Sequence, residues 1–251
     1  YVGVPVVHAA HSLHIPCIIH ESDMTPGLAN KLCVPFSTKV CCNFPETMKG
    51  LPDSKAVLTG TPIRDELFQG DRKRGLELCG FDESKPVLMV IGGSLGASSV
   101  NKTVRDNLDA LLQKFQIVHL CGKDKMDNLL LTRPGYRQFE YVKEDLKDLY
   151  AMADIVLSRA GANAICELLA LKKPNLLVPL PTGRGDQKLN AASFEAQGYS
   201  IVVQDDDLPD VILEKISELY EHRNQYISAM EKSSQTDSNH LVLSLIEQEA
   251  K

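Results

Sequence analysis

Residues 86–96 read PVLMVIGGSLG. The run 86–91 is almost continuously apolar and lacks polar alternation, so it predicts a strand buried on both faces. Two glycines stop it, and a helical pattern opens at about residue 96 and is expected to reach residue 113. A doubly buried strand passing through a glycine turn into a helix is the first half of a parallel βαβ unit.

Outward from this stretch the alternation repeats. Further strands are expected at 15–20 (IPCIIH), 39–44 (KVCCNF), 55–59 (KAVLT), 116–120 (QIVHL), 138–142, 154–157 (DIVL), 175–179 (NLLVP) and 200–204. Helices are expected at 26–32, with Thr25 as cap and Pro26 at the first helical position, and at 146–152, 162–171, 187–197, 209–220, 223–232 and 240–249. This predicts a doubly wound α/β architecture of parallel sheets covered by helices. Residues 56–222 hold enough units for a complete domain. Residues 1–55 hold two strands and two short helices, too little to bury a self-sufficient core. They read as the tail of a first domain whose beginning is missing, and a first residue of Tyr1 instead of Met suits that expectation. Residues 223–251 form a C-terminal helical segment, with the polar stretch 233–239 (SSQTDSN) as a hinge before its last helix.

Composition narrows the function classes. The chain has 251 residues, 43% hydrophobic and 24% charged, with a net charge of −6. Those fractions exclude a disordered chain, a collagen and a disulfide miniprotein. The acidic balance argues against a dedicated nucleic-acid binder, which needs a basic face to displace counterions. No apolar run is long enough to span a bilayer, and no basic start leads into an apolar signal segment. Seven cysteines (17, 33, 41, 42, 79, 121 and 166) are scattered without C-x-x-C spacing, as in a reducing compartment such as the cytosol. Those at 17, 41, 42 and 121 lie in apolar runs and read as small buried hydrophobes. His8 and His11 lie three apart on an expected helix, but with no third ligand they predict no metal site.

Candidate chemistry gathers where strands end. Gly92-Gly93-Ser94-Leu95-Gly96 offers free N–H groups at a helix start and a hydroxyl at Ser94, which suits a diphosphate. It is neither G-x-G-x-x-G nor a P-loop, and a plain tight turn has the same look. Ser158-Arg159-Ala160-Gly161-Ala162-Asn163, after the strand DIVL, marks a second such helix start. Glu167 follows within a turn or two, where a carboxylate can accept two ribose hydroxyls or simply favour the helix dipole. Gly183-Arg184-Gly185-Asp186-Gln187 follows NLLVP; Asp186 and Gln187 suit sugar hydroxyls, and Asp186 equally suits an N-cap. Arg64, after the turn Thr59-Gly60-Thr61-Pro62, can pair with phosphate or stay solvated. His20 and Glu21, at the end of IPCIIH, are acid–base candidates, or His20 is a structural hydrogen-bonder.

Taken together and in order, the blocks IHESDMTPGLANK (19–31), FPET (44–47), LTGTPIR (58–64), GGSLGA (92–97), SRAGANAICELLALKKPNLLVPLP (158–181) and RGDQKLNAASFEAQG (184–198) resemble the MurG-type glycosyltransferases of bacterial peptidoglycan synthesis. The resemblance runs from residue 1 to about residue 205. It implies a GT-B fold of two Rossmann-like domains, the first incomplete here, with the last helix crossing back to the first domain. It implies an inverting transfer of N-acetylglucosamine from UDP-N-acetylglucosamine to undecaprenyl-diphospho-muramoyl-pentapeptide (lipid I to lipid II), serving cell-wall assembly, cell shape and division. The acceptor hydroxyl attacks as UDP leaves, and no cofactor, metal ion or nucleic acid takes part. The enzyme is expected in the cytoplasm, peripheral on the inner face of the membrane. By position, Glu167 would bind the ribose, Tyr141 would lay its ring on uracil, and the Val142 backbone would read the base. Ala162 and Asn163 would meet the phosphate through backbone groups, Ser94 and Arg64 the diphosphate, and Asp186 and Gln187 the sugar hydroxyls. Glu21 and Asp23 would face the acceptor as catalytic candidates. The chain departs from the family at Leu95, where many members carry Gln, and at Asp23, where many carry Asn. The loop before Gly185 is short, and the family's N-terminal glycine-rich loop, with its candidate basic histidine, is absent. Two other readings share the scaffold: a UDP-N-acetylglucosamine 2-epimerase and a non-catalytic UDP-sugar-binding fragment.

Overall fold

A computed structural model describes residues 2–93, 96–182, 185–233, 235 and 238–250. The chain divides into two compact units, Tyr1–Ile63 with Ser233–Lys251, and Arg64–Lys232.

The first unit begins with helix α1 (Gly3–Ser12) and strand β1 (Ile18–Glu21), then α2 (Leu28–Cys33), β2 (Lys39–Cys42), α3 (Pro45–Met48) and β3 (Ala56–Leu58). Its three strands form a parallel sheet in the order β1-β2-β3, with Glu21 level with Cys42 and Cys42 level with Leu58. Because β3 hydrogen-bonds to β2, the first unit runs on to Ile63, past the boundary at 55 that the sequence pattern suggests. Helix α2 starts two residues later than the Pro26 signal predicts. Glu21 is buried, and its carboxylate accepts hydrogen bonds from the backbone of Asp23 (3.0 Å) and Gly27 (3.1 Å) and from Asn30 Nδ2 (2.8 Å). These bonds hold 22–27 as a loop, and Gly27 becomes the extended N-cap residue in place of Thr25. His8 and His11 lie against the Phe36 ring, with centroids 4.1 and 5.3 Å away.

The C-terminal helix Ser238–Glu249 belongs to this first unit. The polar stretch before it is not a solvated hinge at its described positions. Gln235 and Ser238 are buried, Gln235 Nε2 donates to the Asn43 carbonyl (3.0 Å), and Asn239 Nδ2 donates to that of Ile63 (2.7 Å). Gly60 faces this join at φ +71°, where a Cβ would fall 2.6 Å from Ser238 Oγ.

The second unit contains α4 (Arg72–Cys79), β4 (Val87–Ile91), α5 (Ser98–Asp106), α6 (Leu108–Lys114), β5 (Gln116–Leu120), β6 (Tyr136–Phe139), α7 (Leu146–Met152), β7 (Ile155–Ser158), α8 (Ala162–Ala170), β8 (Asn175–Leu177), α9 (Asp186–Ala196), β9 (Ser200–Val202), α10 (Leu208–Glu221) and α11 (Arg223–Glu231). Helix α11 packs within this unit and not with the C-terminal segment to which the sequence pattern assigns it. All six strands are parallel, in the order β6-β5-β4-β7-β8-β9. Residues Val87 to Val90 of β4 are fully buried, as a strand covered on both faces must be. Two elements depart from expectation. The helix opening near Gly96 breaks at Asn107, whose side chain donates back to the Thr103 carbonyl (3.0 Å) and whose backbone leaves helical geometry. Strand β6 ends at Phe139, so residues 140–142 leave the sheet instead of continuing it.

None of the described helices is long and apolar enough to cross a membrane. The seven cysteines are free thiols; all are buried except the half-buried Cys17, and burial pushes Cys42 up to about 11 and Cys79 up to about 12.

Candidate functional site

The strand order reverses between β4 and β7, the edge where open α/β sheets gather ligands. Ile91 and Ser158 are register partners, so the turns leaving these two strands emerge side by side. The first turn needs its glycines. Gly93 has φ +80° and Gly96 φ +68°, and the Gly96 N–H donates to the Gly93 carbonyl (2.9 Å). A Cβ on Gly96 would lie 2.0 Å from the Cys121 carbonyl oxygen, so the turn can press against the end of β5 only without a side chain.

Beneath the turn, Asn101 Nδ2 donates to that same carbonyl (2.8 Å) and fastens α5 to β5. Asn101 Oδ1 accepts from His119 Nε2 (2.9 Å), and His119 Nδ1 accepts from the Tyr136 hydroxyl (2.8 Å). Burial, helped by the Arg105 charge, pushes His119 from 6.5 down to about 3, so the ring is neutral and each nitrogen has one role.

Glu167 stands on the second turn of α8. Its Oε2 accepts from the Tyr150 hydroxyl of α7 (3.2 Å), and its Oε1 lies 3.7 Å from Arg64 Nη2. Burial raises the carboxyl above its ordinary range, while Tyr150 and Arg64 pull it back. A carboxylate has about four lone-pair positions, so these partners leave room for a diol. The Tyr150 phenol is itself pushed up by burial and by the Glu167 charge. Tyr150 escaped the sequence reading because a buried tyrosine on an apolar helix face looks like core; only its hydroxyl partner reveals the role.

Arg64 also lines a hollow of about 100 Å³ with Ile91, Gly93, Leu120, Tyr141 and Val142. Because β6 stops at Phe139, Tyr141 stands free with 67% of its surface exposed. An open aromatic ring beside a small hollow, an arginine and a half-buried carboxylate can stack on a flat ring, pair with an anion and accept hydroxyl protons.

Ala162 and Asn163 are the first residues of α8, where backbone N–H groups lack intrahelical partners. Gly185, left-handed at φ +82°, is the N-cap residue of α9; Asp186, expected as a possible cap, is instead its first helical residue. Gln187 Oε1 accepts from the Leu180 backbone (3.0 Å), which ties the loop end to the helix. Asn190, one turn on and 1% exposed, donates to the Ala160 carbonyl (3.1 Å) and anchors α9 beneath the turn before α8. Ser94, Leu95, Gly183 and Arg184 lie outside the described residues. Arg64, Tyr141 and Val142 thus share one hollow, and Arg64 joins it to Glu167.

Glu21 and Asp23 sit in the first unit. The Glu21 carboxylate accepts from three donors and shapes its own loop. Asp23 belongs to that loop, its N–H held by Glu21 and its carbonyl accepting from Thr47 Oγ1 (3.4 Å). His20 Nε2 donates to the Gly60 carbonyl (3.0 Å), the structural reading of that residue.

Comparison with known proteins follows the same lines. Residues 87–244 match the glycosyltransferase family 28 C-terminal domain and residues 1–42 the family's N-terminal domain. The chain is 58% identical, over all of its length and 72% of the relative's, to the UDP-N-acetylglucosamine–N-acetylmuramyl-(pentapeptide) pyrophosphoryl-undecaprenol N-acetylglucosamine transferase of Lachnospira eligens. Among solved structures it resembles Acinetobacter baumannii MurG, with TM-score 0.73 and 25% identity over 99% of this chain and 71% of that one. It also shares its fold, at TM-score 0.68 and 16% identity over 96% of this chain and 72% of that one, with a UDP-GlcNAc 2-epimerase from Neisseria meningitidis. Parallel sheets, flanking helices and these relatives together place the chain in the GT-B class. On full-length similarity to its curated relatives, the chain belongs to the MurG family of N-acetylglucosamine transferases within glycosyltransferase family 28.

Proposed function

We propose that the chain acts as its relatives are named: a hexosyltransferase moving N-acetylglucosamine from UDP-N-acetylglucosamine to undecaprenyl-diphospho-muramoyl-pentapeptide in peptidoglycan synthesis. The observation that carries this reading is the 58% identity along the whole chain. The convergence of Arg64, Tyr141 and Val142 on one hollow, with Arg64 beside Glu167, supports a uridine nucleotide there. In this reading Tyr141 stacks on uracil, Val142 meets the base edge, and Glu167 accepts the ribose hydroxyls. Arg64, Ser94 and the N–H groups of Ala162 and Asn163 receive the diphosphate. Asp186 and Gln187 take the sugar hydroxyls. The charge that grows on departing UDP is met by the arginine and helix-end N–H groups. The acceptor's attacking hydroxyl inverts the anomeric centre and gives its proton to a general base; Glu21 and Asp23 face the acceptor as candidates. The site of action is the cytoplasmic face of the membrane, reached peripherally.

The test is titration with UDP by calorimetry and an assay of sugar transfer to the lipid acceptor. UDP is expected to bind, and Glu167→Ala to weaken it by about 1–3 kcal/mol through loss of charge-assisted hydrogen bonds. Unchanged affinity in the variant refutes the ribose assignment. Conversion of UDP-N-acetylglucosamine without any acceptor would indicate epimerase chemistry.

A further inference from the structure

Arg159 is a cation in the second unit, 8% exposed, that the nucleotide contacts above leave unused. It follows β7 and opens the turn into α8. Its Nη1 donates to the carbonyls of Val178 (3.1 Å) and Pro179 (3.4 Å), just past β8, and pairs with Asp205, just past β9. Its Nη2 donates to Ser99 Oγ (2.8 Å) on the first turn of α5, and the Ser99 hydroxyl donates to Asp205 Oδ1 (2.9 Å), closing a triangle. One rigid guanidinium fork therefore ties together the start of α5, the turn into α8 and the strand end that leads to α9.

A buried ion pair is poor evidence for stability, because apolar residues of similar volume commonly serve as well or better. What apolar packing lacks is direction: only a planar fork with several donors can fix these separate backbone segments at once. The segments fixed are those that carry the proposed diphosphate and sugar contacts.

We propose that Arg159 is a positioning residue for the diphosphate: through Ser99, Asp205 and the Val178 and Pro179 carbonyls it sets the helix starts of α5 and α8 so that their N–H groups converge on one pyrophosphate. The inference rests on the UDP-sugar reading and goes beyond it, since Arg159 touches no ligand in this scheme.

The test is titration of the full chain with UDP and, separately, with uridine, for wild type, Arg159→Lys and Ser99→Ala. Arg159→Lys keeps the charge opposite Asp205 and loses the fork; Ser99→Ala removes one surface hydroxyl and leaves the core untouched. UDP dissociation constants are expected to rise about tenfold and about threefold respectively, with uridine affinity unchanged. Unchanged UDP affinity in both variants overturns the proposal, as does a loss shared equally by uridine, which would mark a general structural role. If Arg159→Lys fails to fold, Ser99→Ala decides alone. Wild type that binds neither ligand overturns the nucleotide reading itself, and this inference with it, a result distinct from the others.

Discussion

Glu167 lives between two opposing pulls, burial against its charge and the Tyr150 and Arg64 partners in its favour. Tyr150 donates its proton to the ionised form and so holds the carboxyl lower than burial alone would. Tyr150→Phe removes that bond, the carboxyl rises further, and more of it is protonated at a given acidic pH. The acid limb of UDP affinity is therefore expected to move to higher pH in the variant; pH-dependent titration checks it, and an unmoved limb refutes the link. His119 gives a second residue-scale prediction. Its folded value of about 3 lies below its ordinary 6.5, so the unfolded chain binds the extra proton between these limits. Stability from this group is whole above 6.5 and is lost progressively as the pH falls toward 3. His119→Gln is expected to flatten that slope in urea unfolding of the second unit across the same window. Glu167 was legible in the sequence because it follows a small-residue turn at a strand end. Tyr150 and Arg159 were not, because their meaning lies in partners 17 and 46 positions away.

At the level of elements, strand existence could be read from apolar runs, but adjacency could not. Nothing in the linear pattern says that β4 pairs with β7, yet that pairing puts the two helix-start turns next to each other. The early end of β6 was hidden too, because YRQFEYV remains strand-like past Phe139 although the chain has left the sheet. Where a turn needs glycine, sequence and structure agree. Gly96→Ala would place a Cβ 2.0 Å from a backbone oxygen at φ +68°. It is expected to destabilise the second unit by roughly 2–4 kcal/mol, read from urea midpoints. A loss below about 0.5 kcal/mol, the scale of an ordinary surface change, would show that the turn tolerates a side chain.

Across the whole molecule, the sequence pattern divides the chain at 55 and 222, while its packing divides it at Ile63 and Lys232. Residues 56–58 read as the opening of the larger unit until β3 is seen to pair with β2. The stretch 233–239 reads as a linker until Gln235 and Asn239 are seen bonded to Asn43 and Ile63. A chain ending at Lys232 is expected to keep UDP affinity, because the proposed nucleotide contacts lie within Arg64–Lys232. The same chain should lose hydrogen-exchange protection in β1–β3, which the C-terminal segment buttresses. Retained protection would show that segment to be dispensable.

That return of the tail has a bearing on biosynthesis. A polypeptide emerging from the ribosome usually folds its leading portion first. Here residues 1–63 complete their packing only once residues 233–250 have been translated, while residues 64–232 can finish their own sheet earlier.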